Sequence, residues 1–189
     1  NWLEEYVLKN KTSLTKDAIL KDPYNYTLKE MKDCLGEEMA TDFFESLYKN
    51  KPKIQNQTVK IKEVFNGKDT LKYAFELSDG YCIETVCIKR KTGITVCVST
   101  MVGCPVGCIF CASGKNGFIR NLSSSEIVQQ IVLLKEKVNR IVFMGMGEPL
   151  LNYGEVIKAI HILRDRDGLN FPTDGITIST VGPIKKKKK

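Results

Sequence analysis

Met101-Val-Gly-Cys-Pro-Val-Gly-Cys-Ile-Phe-Cys111 divides the chain into a strand-rich stretch before it and an alternation of helix and strand after it. It sets Cys104, Cys108 and Cys111 in a CxxxCxxC spacing on one short loop. A four-iron cluster ordinarily takes four cysteine ligands, so a loop offering three leaves one iron open to another ligand. Structural zinc is the competing reading. A closed zinc site needs four nitrogen or sulfur ligands, usually from two paired knuckles, and the sequence has no second CxxC pair. The single histidine, His161, lies far downstream in a stretch of helical spacing, where a solvated or packed side chain is expected. Cys34, Cys82, Cys87 and Cys97 fall in helix-like or strand-like segments, where a free cysteine usually packs as a small hydrophobe. The loop therefore predicts an iron-sulfur cluster with an open iron.

Upstream of the loop the hydrophobic period is two. Val59-Lys-Ile-Lys-Glu-Val-Phe65, Leu71-Lys-Tyr-Ala-Phe-Glu-Leu77, Tyr81-Cys-Ile-Glu-Thr-Val-Cys-Ile88 and Ile94-Thr-Val-Cys-Val98 are separated by Asn66-Gly67, Asp79-Gly80 and Thr92-Gly93. Those dipeptides are turn signals, so an antiparallel meander is expected. Further upstream the spacing is helical: Thr27 and Glu30 form a capping-box start, and Ala40, Phe43, Phe44 and Leu47 recur until Asn50-Lys-Pro52 stops the pattern.

Downstream, Ser123 and Glu126 begin a helix predicted to carry Ile127, Ile131, Leu134 and Val138. A strand over 140–144, a helix over 155–163 and a strand over 176–179 follow. Strands joined by helices imply right-handed crossovers in a parallel sheet, with functional groups beyond the carboxyl ends of its strands. The fold class is accordingly α/β. A helical N-terminal accessory domain is expected over 1–57, an antiparallel β segment over 58–96, a parallel α/β part over 97–182, and a lysine-rich tail over 183–189.

The formal charge of +7 is mostly that tail: without the five lysines 185–189, 24 basic residues face 22 acidic ones, a net of +2. Charge alone is thus weak support for nucleic-acid binding. No apolar run reaches the length of a membrane span, and the first residues lack the basic and apolar regions of a signal peptide. A soluble, cytoplasmic protein without membrane contact is expected, and the reducing cytosol suits a thiolate loop.

Phe143-Met-Gly-Met-Gly-Glu-Pro149 follows the second parallel strand. A dinucleotide-binding GxGxxG fails here because position 150 is leucine. Its glycines permit close backbone approach, and Glu148 offers an acceptor to the amino group of a ligand held at the open iron.

Together the cysteine loop, the Gly-Met-Gly-Glu-Pro turn and Thr177-Ile-Ser-Thr-Val-Gly182 resemble the radical S-adenosylmethionine (SAM) methyltransferases of the RlmN/Cfr family. The cysteine motif alone marks only the radical SAM superfamily. The run 96–121, with Cys-Val-Ser ahead of the cluster loop and Gly-Phe-Ile-Arg-Asn behind it, resembles the narrower family. The likeness covers about residues 54–182 and extends loosely to the helical segment. It implies a partial radical SAM barrel, a 4Fe-4S cluster on Cys104, Cys108 and Cys111 with Phe110 shielding it, and SAM bound by Gly147, Glu148 and Ser179. It further implies that Glu84 accepts a proton from the substrate ring, and that Cys97 resolves a covalent enzyme-RNA intermediate through a disulfide. The implied activity is radical methylation of adenine, carbon 2 favoured over carbon 8, in 23S rRNA, with tRNA as a second candidate. A flavodoxin-like reductant and a monomeric state complete the expectation. Carbon 2 of adenine is electron-poor and resists ordinary alkylation by a sulfonium, which is why a radical route is needed.

The sequence departs from that family in one respect. The methyl-carrying cysteine of the family lies near the C-terminus, whereas no cysteine follows Cys111 here. The chain is thus expected to stop about halfway through a family-type barrel, its lysine run marking an altered end. Two other classes stay open at this point: a radical SAM enzyme of another type, and a noncatalytic iron-sulfur or RNA-interacting remnant.

Overall fold

The structure is a computed structural model that describes residues 14–48, 58–115 and 117–182. The lysine run and the stop at Asn50-Lys-Pro52 lie outside these residues.

The N-terminal part is helical for local reasons. Helix α1 (Lys16–Lys21) is capped by the Thr15 side chain, and α2 (Leu28–Leu35) opens on the reciprocal Thr27 and Glu30 capping box. Gly36 at φ 86° then ends α2, so the apolar stripe of Ala40, Phe44 and Leu47 belongs to a separate helix, α3 (Glu37–Tyr48). These helices bury Ile19, Met31, Ala40 and Phe44 in a core of their own.

Four strands follow: β1 (Val59–Asn66), β2 (Thr70–Leu77), β3 (Cys82–Arg90) and β4 (Gly93–Cys97). They pair antiparallel in sequence order, each boundary within two residues of the alternation read from sequence. After a short ribbon of β5 (Met101–Gly103) and β6 (Phe118–Asn121), helix α4 (Ser124–Val132), strand β7 (Val138–Phe143), helix α5 (Tyr153–Arg164) and strand β8 (Ile176–Ile178) complete the fold. The main sheet runs β1-β2-β3-β4-β7-β8, and β4-β7-β8 are parallel. β4 is therefore both the last strand of the meander and the first of the parallel set.

Val138 is a correction. The helix from Ser124 ends at Val132, and Val138 instead opens β7, paired with Ile94. The sheet claims it because Lys135-Glu-Lys137 interrupts the helical stripe, while Leu134 turns into the core at 2% exposure. The β5–β6 ribbon is an addition, its strands being too short for a periodic signal.

One face of the sheet packs under α4 and α5. Leu71, Tyr73 and Phe75 of β2, Ile83 and Cys87 of β3, Val96 of β4, and Ile141 and Phe143 of β7 share one core with Ile127, Val128, Val156 and Leu163. Full burial of each large apolar side chain contributes roughly 1.5–3 kcal/mol. The alternate residues, among them Glu84 and Cys97, face the other way.

Candidate active site

Three segments meet beyond the carboxyl ends of β4, β7 and β8. The first is the cysteine loop, carried out and back by β5 and β6. Gly103, at φ 74°, makes the close approach between the two arms possible, since a Cβ there would collide with the Gly117 carbonyl. The Cys104 N–H donates to the Gly117 carbonyl at 3.0 Å, and the Cys111 N–H donates to the Cys108 carbonyl at 3.0 Å.

Cys104, Cys108 and Cys111 are all half-exposed, while Ile109 and Phe110 at the tip are 100% and 89% exposed. Hydrogen bonds from the Ser113 N–H and hydroxyl and from the Gly114 N–H hold the Cys111 thiol below its ordinary pKa, against a smaller opposing effect of burial. Among the described residues, no group of three or more His, Cys, Asp or Glu side chains converges on one point to hold an ion. The donor chemistry nonetheless fits an iron-sulfur cluster: three soft sulfurs, one biased toward thiolate, with no carboxylate or imidazole on the loop 104–115 to favour a harder metal.

The second segment is the turn after β7. Gly147 sits at φ 104°, and a Cβ there would lie 2.7 Å from Met101 Cβ and Thr100 Oγ1. Glycine is thus required both for the backbone angle and for the contact. The next residue, Glu148, is only 3% exposed. Its Oε1 accepts from the Leu150 N–H at 2.9 Å and the Thr180 hydroxyl at 2.6 Å, and its Oε2 accepts from the Val181 N–H at 2.9 Å. Burial alone would raise its pKa, but these three donors prevail and hold it below the ordinary value. Sequence reading offered Glu148 as a free acceptor. In the fold it fastens the turn to the segment after β8, and of its four lone-pair sites one is left for a further donor.

The third segment is that stretch after β8. Ser179 is exposed and donates its N–H to the Phe143 carbonyl at 3.4 Å, which sets it beside the turn containing Gly147 and Glu148.

Glu84 and Cys97 lie on the sheet face away from the helices. Val86 pairs with Cys97, so Glu84, two residues from Val86, shares its face. Glu84 lines an open groove of about 430 Å³ together with Gly103, Ala112, Ser113, Ile119 and Met146, immediately beside the cysteine loop. Its carboxylate pairs with Lys72 at 2.9 Å. Cys97 is half-buried, and burial pushes its thiol pKa up, only partly offset by the Met144 backbone. The expectation of buried packing holds for Cys87 but not for Cys82, which is exposed at the start of β3 with Lys62 Nζ 3.7 Å from its sulfur.

Sequence reading assigned no role to four polar side chains beneath these segments. Arg120 makes a two-pronged pair with Glu126 at 2.9 and 2.8 Å and reaches Asp79 at 2.6 Å, tying β6 to the β2–β3 hairpin. Ser99, Gln130 and Asn152 are buried under the loop and the turn. Ser99 and Arg120 lie inside the run 96–121 that carried the resemblance, but of their partners Glu84, Met146 and Asp79 lie at least fifteen positions away, Glu126 only six.

Residues 98–188 match the radical SAM superfamily. Over those residues the chain carries part of a radical SAM domain. Over 122 residues it is 59% identical to a probable RNA methyltransferase of Rhodopseudomonas palustris (strain BisB5), covering 65% of this chain and 34% of that protein. Over 133 residues it is 49% identical to a probable dual-specificity RNA methyltransferase RlmN of Pseudothermotoga lettingae, covering 68% of this chain and 39% of the relative. The crystal structure of a radical SAM methyltransferase from Sphaerobacter thermophilus superposes with a TM-score of 0.77 at 32% identity, over 85% of this chain and 57% of the other. The chain thus spans little more than a third of the length of these curated relatives. The radical SAM match begins at Val98, at the carboxyl end of β4, and takes in the cysteine loop, the glycine turn and β8.

Proposed function

We propose that this chain contributes the cluster-binding and SAM-facing part of a methyltransferase that modifies adenine at carbon 2 in 23S rRNA, with tRNA as a second substrate. The observation that carries the reading is the convergence of the three-thiol loop, the Gly147-Glu148 turn and Ser179 beyond adjacent parallel strands, with Glu84 in the groove beside the loop. When bound, a 4Fe-4S cluster and SAM supply one-electron chemistry at an aromatic carbon that polar methyl transfer does not reach.

Cys104, Cys108 and Cys111 hold the cluster. Gly147 lets the backbone approach SAM, Glu148 offers its remaining lone-pair site to the SAM amino group, and Ser179 borders the same ligand. Glu84, solvent-accessible and within the groove, accepts the adenine ring proton. Cys97 is kept as a thiol by burial until it is needed to free the modified base, by forming a disulfide with the methyl-carrying cysteine. That partner is not in this chain, whose last cysteine is Cys111. A flavodoxin-like protein would be the electron donor, and the protein works as a monomer in the cytoplasm. Among the described residues, no helix is long and apolar enough to cross a membrane.

Anaerobic reconstitution with iron and sulfide tests the reading directly. Visible iron-sulfur absorption that changes on adding SAM, with reductive SAM cleavage and carbon 2 methylation of a 23S rRNA fragment by the intact protein, is the expected result. A colourless protein holding one equivalent of zinc refutes it.

A further inference from the structure

The cysteine excursion leaves the sheet after Ser99 and returns at Leu122, and two buried polar side chains, Ser99 and Asn152, fasten its ends to the turn after β7, with a third, Gln130, holding Ser99. Asn152, 4% exposed, donates from Nδ2 to the Thr100 carbonyl and to the Leu122 carbonyl, each at 2.8 Å. The Leu122 N–H closes the same neck on the Thr100 carbonyl at 3.0 Å. Ser99, fully buried, donates its hydroxyl to the Glu84 carbonyl at 2.6 Å and accepts the Met146 N–H at 3.0 Å. Gln130, also fully buried, accepts the Ser99 N–H at 2.8 Å and donates to the Ser99 carbonyl at 2.9 Å, so that the serine cannot shift along its strand. The Thr100 N–H donates to the Met146 carbonyl at 2.8 Å.

Each donor and acceptor named above is paired, and a satisfied buried network is rigid. None of the three side chains lines the groove itself. They join the strand that carries Glu84, the neck of the cysteine loop and the turn that carries Gly147 and Glu148. Burying hydroxyl and amide groups is costly unless they are hydrogen-bonded, and the bonds that satisfy these groups specify the spacing of those three parts.

We propose that Ser99 and Asn152 are positioning residues that fix the distance between the cluster loop and the SAM-facing turn, with Gln130 locking Ser99 in place. The inference rests on the proposed function above. Ser99 acts through the Glu84 carbonyl and the Met146 N–H, and Asn152 acts through the two carbonyls at the neck.

The test uses the intact protein, reconstituted with iron and sulfide, as wild type, Ser99→Ala, Ser99→Thr and Asn152→Leu. The expected result is a full complement of iron and sulfide in all four. Ser99→Ala and Asn152→Leu should bind SAM at least about tenfold more weakly and lose the change that SAM causes in the electron paramagnetic resonance spectrum of the reduced cluster. Ser99→Thr, which keeps the hydroxyl, should recover both. In the absence of cofactors, hydrogen exchange at Met146 should quicken in Ser99→Ala, while the Val98 amide in the β4–β7 ladder stays protected. Wild-type SAM affinity and spectra in both Ser99→Ala and Asn152→Leu overturn the proposal, as does loss of folding in both, which would make the network part of general stability. A wild type that forms no SAM-responsive cluster overturns the proposed function, and this inference with it.

Discussion

The cysteine loop and the glycine turn follow neighbouring parallel strands, yet they are built in opposite ways. The loop 104–115 has no buried side chain, and its hydrogen bonds are short-range except where Cys104 meets Gly117. The turn 145–152 is held by contacts to residues 98–101 and to the segment after β8, and its Glu148 and Asn152 are almost wholly buried. The difference separates two ways of making a ligand site. One relies on the spacing of donors along the chain, to be gathered by the metal they bind; the other is preformed by tertiary contacts.

The sharpest way to break the comparison is at the thiols. Replacing any one of Cys104, Cys108 or Cys111 with alanine should remove nearly all iron and sulfide from the reconstituted protein, while the thermal midpoint of the metal-free form barely moves. A fall of many degrees in that midpoint would show that the loop is as integral to the fold as the turn. Gly147→Ala should do the reverse, destabilising the metal-free protein by about 2–4 kcal/mol in urea titrations, because it meets both a positive φ and an occupied space. Unchanged stability there would mean that the turn is not preformed.

Glu148→Gln sharpens the contrast through pH. Losing the charged acceptor should cost about 1–3 kcal/mol at neutral pH. The folded carboxyl titrates below its ordinary value of 4.5, so the contribution of its charge is present above pH 4.5 and is lost as pH falls through the lower folded value. Urea titrations of wild type and variant should converge across that acidic window, and a gap independent of pH would exclude the charge as its source. The smallest effect is expected at the loop tip. Ile109→Ser, at a side chain that is 100% exposed, should change stability by less than about 0.5 kcal/mol.

The same contrast explains what the sequence could tell. Strands β2 and β3 were legible because Leu71, Tyr73, Phe75 and Leu77, and then Ile83, Thr85 and Cys87, alternate with less buried neighbours on a half-buried sheet. The thiol loop was legible because its donors are a few residues apart. Helix periodicity misled at Val138, where a chance apolar match continued a stripe that the sheet interrupts. Glu148 was seen as an acceptor, but its donors at Thr180 and Val181 lie more than thirty positions away and leave no local mark. Ser99, Gln130 and Asn152 were silent for the same reason: each is an ordinary polar residue until the fold brings its partners.

Strand β4 has a further consequence, for the order in which the molecule assembles. Its antiparallel partner, β3, is reached through a tight turn, Arg90 facing Gly93, whereas its parallel partner requires Cys97 to find Val142 across the whole cysteine excursion and α4. Closing the short loop costs little chain entropy and closing the long one costs more, so the hairpin forms first and offers β7 a finished edge to dock on. Pulse-labelled refolding should find amides of the β3–β4 hairpin protected ahead of the Val98 amide, which donates to the Val142 carbonyl. On this path the cysteine loop is displayed before the strand behind the glycine turn has docked, and the thiols meet solvent and metal while half of their pocket is still being folded.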